Sequence, residues 1–451
     1  MNLTMLLAEW IAAWNSKEIE PRAKVEACRH MTDTLACIIY GMGEDTPRKI
    51  LTYLKEKDGN RGNPLIGETG IRASSEDCAF YYGVCAHTCD FDDLSKNFGG
   101  HPGAVILPVV LALSEEKMPD PDLFLRGFVA GVETAAVVGA ALAGTGMNKG
   151  WNPTSVFGIF GAVAAGAVIL KMEPSKIRIA LGIAAGEASG LKVNYGSAAK
   201  DLTVGYTAAK AVFALKMAEL GLGAARDAMG AENGLFSVLA SDFKRSKFEM
   251  LLQTGQSDFL NPGIILKPYP ACRGVHNGID GALQLVEEYG ITHEKVKRII
   301  CKVQDTVLEA NRYPNPENGV EGKFSLPYCV AVAIINRQVV PEDFTEHTVI
   351  TEKIRGLIGK IEILVDPSFT DAKSGIEIQI FEKNGNVYTA RGNYAKGDPR
   401  NPMTEKELNT KLERCFSRRI PKEKANELIR LWSNPNTLSL DILHTFLKIR
   451  R

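Results

Sequence analysis

Apolar residues recur at helical spacing through most of the first 260 residues. Val25 to Tyr40, Ala104 to Ser114, Leu123 to Ala143, Ser155 to Leu170, Ile177 to Ala188 and Val204 to Leu220 each predict a helix. Met1 to Trp14 predicts an amphipathic helix. Pro21, and the run Pro119-Asp120-Pro121-Asp122, suit the first turns of helices. Pro108 marks either the true start of the second long helix or a kink in it. Gly144-Thr145-Gly146 and Gly221-Leu222-Gly223 read as joints. Small residues on several of these helices let their backbones approach closely.

The pattern changes near Asn261-Pro262-Gly263. A helix from about Gly274 to Glu288 is followed by strand-like runs at Val296 to Gln304, Lys360 to Val365 and Ile376 to Phe381. Lys383-Asn384-Gly385-Asn386 predicts a hairpin turn into a further strand, Val387 to Arg391. Between the strands, Cys329 to Ile335 reads as a buried helix. From Thr404 the pattern is helical again, opening on the capping box Thr404-Glu405-Lys406-Glu407. The fold class expected is mainly α, with an α+β part inserted into, or appended to, the helical one.

Length and charge narrow the function classes. A chain of 451 residues exceeds one ordinary core, so two or more domains are expected. Lys plus Arg number 53, as do Asp plus Glu, which argues against nucleic acid or an acidic membrane surface as the main partner. A small anion needs only a local cationic pocket. Nine cysteines, an odd number with no secretory signal, predict reduced thiols and a cytoplasmic setting. Gly127 to Gly146 is long and apolar, but Glu133 and the weak hydrophobicity of Ala and Gly argue against a membrane span.

The densest candidate chemistry lies between Cys85 and Gly103. It holds His87, Asp90, Asp92, Asp93 and His101, followed at once by an apolar helix. Acids that orient or charge a histidine at the mouth of a buried helix are what proton transfer needs; a solvated loop with an acidic cap is the plainer reading. Four further stretches stand out. Gly150-Trp151-Asn152-Pro153-Thr154 offers an amide and a hydroxyl, with Thr154 or Ser155 expected as a helix N-cap. Gly196-Ser197-Ala198-Ala199-Lys200 sets one lysine before an apolar helix. Lys267-Pro268-Tyr269-Pro270-Ala271-Cys272-Arg273-Gly274-Val275-His276 falls where the texture changes, a place where clefts form. Phe324-Ser325-Leu326-Pro327-Tyr328 precedes the buried helix, and Tyr328 either donates a proton or packs.

Taken together and in this order, these motifs resemble the MmgE/PrpD family, which includes 2-methylcitrate dehydratase, cis-aconitate decarboxylase and iminodisuccinate epimerase. Gly397-Asp398-Pro399-Arg400-Asn401-Pro402-Met403-Thr404 adds a further anchor, and the resemblance runs through nearly the whole chain. It implies a large helical domain built from both chain ends, residues 1–263 and 403–451, and a smaller α+β lid, residues 264–402. It also implies a cleft at their junction, a homodimer, and a small di- or tricarboxylic acid substrate handled with no metal and no organic cofactor. Carried onto this chain, the implied pocket contains Asp90, His101, Lys200, Lys267 and Tyr328, supported by His87, Asp93 and His276.

The chemistry expected from these residues is coherent. Lys200 and Lys267 supply cations for a polycarboxylate and for the carbanion formed beside a carboxylate. His101 is the first candidate base, with Asp90 orienting it and Tyr328 protonating a leaving hydroxyl or a carbanion. The favoured expectation is a dehydratase-like lyase; epimerisation, decarboxylation and a non-catalytic ligand-binding homologue are the alternatives. This chain departs from the family pattern at Asn152, where a histidine is frequent, and at Leu94, where a threonine is common. Asn152 can hydrogen-bond but cannot serve as a physiological acid or base, which counts against decarboxylation of cis-aconitate. Lys96, in an unusual stretch, adds a cation to the expected substrate-binding set of Lys267, Lys200, Asn152 and His276. Cys85, His87, Cys89, Asp90 and His101 are metal-ligand types, but alternate residues of one helix diverge, so no metal is expected. No Gly-x-Ser-x-Gly elbow suggests a hydrolase.

Overall fold

The computed structural model describes residues 2–57, 61–68, 70–255, 257–369 and 375–447. It is mainly α. The helices that build the site are α1 (Pro21–Gly41), α2 (Ser75–His87), α3 (Pro102–Lys117), α4 (Pro121–Leu142), α5 (Gly158–Ile169), α6 (Ala198–Glu219), α7 (His276–Tyr289), α8 (Leu326–Asn336) and α9 (Glu405–Ser417). Asn2, Ser74, Asp120 and Thr404 accept N-terminal amides as caps, and Thr404 with Glu407 forms the expected capping box.

Helices α2, α3, α4, α5 and α6 pack against one another as an almost wholly buried bundle. Glycines set the spacing: a Cβ at Gly83 would lie 2.9 Å from the Gly205 Cα, so α2 and α6 touch backbone to backbone. Pro108 lies inside α3, whose start is Pro102. It leaves the Ala104 carbonyl without its helical donor. Burial on every side outweighs that loss, since each buried aliphatic side chain contributes roughly 1.5–3 kcal/mol. Helix α4 is long and apolar enough to cross a membrane by composition, and 83% of its apolar window is buried inside the protein.

Four strands form one sheet in the order β2-β1-β3-β4: β1 (Val296–Val303), β2 (Ile361–Val365), β3 (Ile376–Glu382) and β4 (Val387–Gly392). β1 runs parallel to β2, pairing Ile299 with Ile361, and antiparallel to β3, pairing Ile299 with Ile380. β3 and β4 are the expected hairpin, turned by Gly385 at φ 95°. Strict alternation buries Ile376, Ile378 and Ile380 against α7 and α8. The buried apolar side chains fall into two clusters. One runs from Leu3 to Leu266 and resumes from Met403 to Leu443; the other runs from Ala271 to Ala390.

The chain passes between these clusters twice, and the two passages touch. Leu266 N–H donates to Gly397 O at 3.2 Å. A Cβ at Gly397, whose φ is 86°, would stand 1.8 Å from the Leu266 oxygen, so only glycine fits there. Gly263, at φ 88°, presses in turn on Pro399.

Candidate active site

Helix α2 ends at His87, and the chain turns sharply. Thr88 N–H donates to Val84 O at 3.0 Å, and Asp90 N–H to His87 O at 2.9 Å. The turn puts Asp90 at φ 50°, a left-handed conformation that aspartate tolerates better than most residues. Two lysines from distant parts of the chain hold the carbonyls on either side. Lys323 Nζ donates to Thr88 O at 2.7 Å, and Lys411 Nζ to Phe91 O at 2.7 Å. Lys411 also pairs with buried Asp33 at 2.6 Å.

This turn aims Asp90 at two buried lysines. Lys200, in the first turn of α6, places Nζ 2.7 Å from Asp90 Oδ1. Lys267, fully buried on the first passage, places Nζ 3.2 Å from Oδ2 without a well-aligned hydrogen bond. Burial alone would raise the Asp90 carboxyl, but the Lys200 and Lys267 cations outweigh it and hold it well below the ordinary range. Burial opposes the Lys200 charge too, yet Asp90 beside it raises the ammonium above its ordinary value.

Asp92 faces the other way and joins two histidines. His87 Nδ1 lies 2.9 Å from Asp92 Oδ2, and His101 Nδ1 lies 3.1 Å from the same oxygen, off the hydrogen-bond line. The two rings meet edge to face at 4.7 Å. Burial lowers His87 to about 4 against the pull of Asp92, so His87 is neutral at pH 7 and donates its Nδ1 proton. His101 caps α3 from outside, its side chain 12% exposed, and its Nε2 makes no hydrogen bond among the described residues. Its backbone N–H donates to Thr154 Oγ1 at 3.2 Å. His87, Asp92 and His101 also bring ligand-type atoms within 4.8 Å of one another. They form a cation-site geometry that differs from the Cys-containing set considered from the sequence. Lys200 acts electrostatically on both His87 and Asp92, and its charge disfavours a divalent cation there.

The remaining expected residues are placed as follows. Asn152, not Thr154 or Ser155, is the N-cap of the short helix Pro153–Val156; its Oδ1 accepts from Thr154 N–H at 3.1 Å and from Tyr195 OH at 3.2 Å. Proline at the first helical position, with Asn before it, was the signal for that cap. Asp93 serves structure: Oδ1 accepts Gly103 N–H at 2.9 Å, and Oδ2 lies 3.3 Å from His30 Nδ1. His276 pairs Nε2 with Ala271 O at 2.9 Å, and its ring packs on Tyr269; burial, then Lys267 and Arg273, keep it neutral. Lys96 pairs with Asp398 at 2.6 Å. Among the described residues Tyr328 makes no hydrogen bond to the cluster: its hydroxyl donates to the Asp343 carbonyl and its ring packs on Phe344. Asp92, Lys323 and Lys411 were not assigned roles from the sequence. The two lysines lie hundreds of positions from the loop they hold, and nothing local marks them.

Family models for the two MmgE/PrpD domains match most of this chain, the N-terminal domain over residues 6–247 and the C-terminal domain over residues 269–434. The chain belongs to the MmgE/PrpD family. Its relatives within that family include the cis-aconitate decarboxylase of Homo sapiens, 26% identical over 438 residues, covering 93% of this chain and 89% of the human protein. The Mus musculus cis-aconitate decarboxylase is 26% identical over 420 residues, covering 89% of this chain and 84% of the mouse protein. A cis-aconitate decarboxylase-like protein of Aspergillus oryzae, oryM, is 22% identical and covers 95% of this chain and 93% of its own. Of the residues this MmgE/PrpD chain gathers, Asp90, His101 and Lys200 lie in the N-terminal match, and Lys267 lies in the short stretch between the two matches.

Proposed function

We propose that this MmgE/PrpD protein is a cofactor-independent lyase that makes or consumes a carbanion beside a carboxylate of a small di- or tricarboxylic acid. The observation that carries this reading is one carboxylate, Asp90, pairing two buried lysines next to the His87–Asp92–His101 cluster. The lysines are fixed in place before substrate arrives, so they stabilise developing charge with little reorganisation. His101 offers its unengaged Nε2 for the proton, and Asp92 supports the imidazolium that results. The substrate lies where the passages of the chain meet, and residues 264–402 act as a lid hinged at Gly263 and Gly397.

Two routes through a carbanion beside a carboxylate compete. Loss of carbon dioxide, followed by protonation from His101, is decarboxylation; the names of the relatives favour it. Proton removal by His101, followed by loss of hydroxide, is dehydration. Asn152 favours that outcome, because its Oδ1 is engaged by the cap and by Tyr195 and its carboxamide cannot act as acid or base. Proton NMR in deuterium oxide separates them. Itaconate formed from cis-aconitate establishes decarboxylation, and a new vinylic signal from 2-methylcitrate or citrate establishes dehydration. Deuterium entering iminodisuccinate with inversion would instead make the protein an epimerase. No change in any of these acids would overturn the lyase reading for this substrate class.

The proposal extends to a homodimer in a reducing, cytoplasmic setting. Tyr206 and Phe213 on α6, and Leu220 just past its end, recur every seven residues and are exposed, with Leu191 and Val193 exposed as well. Such an apolar stripe suits a second copy of the chain. The cysteines are free thiols, eight of the nine buried.

A further inference from the structure

The cluster around His101 is balanced in charge, with two lysines and two acids: Lys200 and Lys267 pair with Asp90, and Asp92 faces His87 and His101. A di- or tricarboxylate brings two or three negative charges, so a balanced cluster holds only one end of it. The surplus positive charge lies elsewhere. Leu94, Lys96, Ile265, Arg273, Gly274, Asn277, Val307 and Asp398 line a cavity of about 180 Å³.

Asp398, buried in its wall, is already satisfied by Arg400. Its Oδ1 accepts from Arg400 N at 3.1 Å and Nε at 2.9 Å, and its Oδ2 from Arg400 Nη2 at 3.1 Å. One arginine therefore neutralises it, and Lys96 and Arg273 are extra. Lys96 Nζ lies 2.6 Å from Oδ2. Arg273 Nη2 lies 3.7 Å away, beyond hydrogen-bond length, and its buried Nε has no partner. The Nε–Nη edge of a guanidinium is one of the edges that grip a carboxylate in two parallel bonds. In Arg273 that edge is unengaged. Asp280 also acts on Arg273, but its oxygens accept from Tyr269 OH and Lys396 N–H.

The cavity adjoins the candidate active site through the chain itself. Leu94 and Ile265 exchange hydrogen bonds at 3.0 and 2.8 Å, and Ile265 is two residues before Lys267. Ser95 N–H donates to Gly100 O at 2.9 Å, closing a loop that carries Lys96 just inside one end and His101 just beyond the other. Cys272, next to Arg273, acts electrostatically with Asp90, Lys267 and Lys200.

We propose that Lys96 and Arg273 form a second carboxylate subsite, which binds the end of the substrate remote from His101 while Asp398 acts as a built-in competitor for the same cations. This rests on the polycarboxylate reading above. Asp398 keeps two cations together in the empty site; a substrate carboxylate then takes the Arg273 edge and shares Lys96. The subsite selects acids with a second carboxylate at a fixed reach from the reacting carbon.

The test uses tricarballylate, a saturated tricarboxylate that cannot undergo elimination, titrated calorimetrically into the full-length protein. Lys96→Met is expected to weaken its binding about tenfold or more, the loss typical of a charge-assisted hydrogen bond. Asp398→Asn is expected to strengthen it severalfold, an effect no merely structural role for Asp398 would produce. Lys96 is 32% exposed, so Lys96→Met is expected to fold; circular dichroism checks this, and Lys96→Gln is the second variant. Wild-type protein that binds no tricarballylate overturns the subsite. So does Lys96→Met binding like wild type, or a folded Asp398→Asn that binds more weakly. The reaction is scored separately. Binding that responds as expected, with no acid turned over, leaves the subsite standing and removes the lyase reading. Turnover whose KM is unmoved by Lys96→Met does the reverse.

Discussion

Lys200 Nζ stands 2.7 Å from Asp90 Oδ1, both groups buried, on residues 110 positions apart. Removing the acid leaves two buried ammonium groups without their shared ion-pair partner. Asp90→Asn is expected to lose about 3–5 kcal/mol of stability, the cost of breaking a buried pair from one side, and at least about 100-fold in activity. The double variant Asp90→Asn/Lys200→Met is expected to recover part of that stability, since one stranded charge goes with it. Urea unfolding of wild type, Asp90→Asn, Lys200→Met and the double variant decides the matter; additive losses would refute the coupling.

His101→Gln is expected to lower turnover by about 10²–10⁴-fold, the usual share of a positioned acid or base. Its side chain is partly exposed and makes no well-aligned bond to Asp92, so the melting temperature should hardly move. Activity that survives chelator treatment would fit His101 as a proton carrier. Activity lost to a chelator and restored by a divalent ion would recast His87, Asp92 and His101 as ligands.

Tyr328→Phe is expected to change turnover less than about threefold and to cost about 1 kcal/mol of stability, the net worth of one hydrogen bond. Its hydroxyl is spent on the Asp343 carbonyl. A hundredfold loss of kcat in a folded variant would return this tyrosine to the reacting atoms.

Glu133 gives the protein a pH dependence away from the site. Burial raises its carboxyl to about 7, against hydrogen bonds from the Asp258 N–H and the Ser257 hydroxyl. Between about 4.5 and 7 the folded chain therefore binds more protons here than the unfolded one, so stability from this group is full below that window and is lost as pH rises through it. Glu133→Gln is expected to gain on wild type between pH 5 and pH 8. Equal differences in urea midpoint at the two pH values would contradict this.

Phe213→Asp on the outer face of α6 is expected to halve the mass seen by light scattering and to leave the melting of the monomer intact, because the ring is 46% exposed. An unchanged mass would move the dimer contact elsewhere.

Much of the fold was legible because its period was regular. The alternation of Ile376, Ile378 and Ile380 predicted β3, and the apolar spacing predicted α3 through α6. Pro108 is not the start of α3, because local propensity is blind to burial and α3 is enclosed enough to carry an internal proline. The acids and histidines from His87 to His101 were legible as a cluster because they are close in sequence. Which acid serves which base was not: Asp90 was expected to orient His101, but Asp92 faces it while Asp90 holds the lysines. Two positions separate these acids, and only the left-handed turn at Asp90 sends them to opposite partners. Arg273 entered only as part of the Lys267–His276 stretch, since nothing local tells that its Nε is buried.

The bond from Lys411 Nζ to the Phe91 carbonyl ties the order of synthesis to the order of function. A chain leaving the ribosome has residues 87 to 101 available early, yet the loop that carries them stays untied until α9 emerges. The helical core can collapse before then, but the turn at Asp90 lacks one of its two lysine anchors and Asp33 lacks its counter-ion. A nascent chain halted anywhere before residue 411 lacks this anchor, so the turn that aims Asp90 is completed only when one of the last helices has been made.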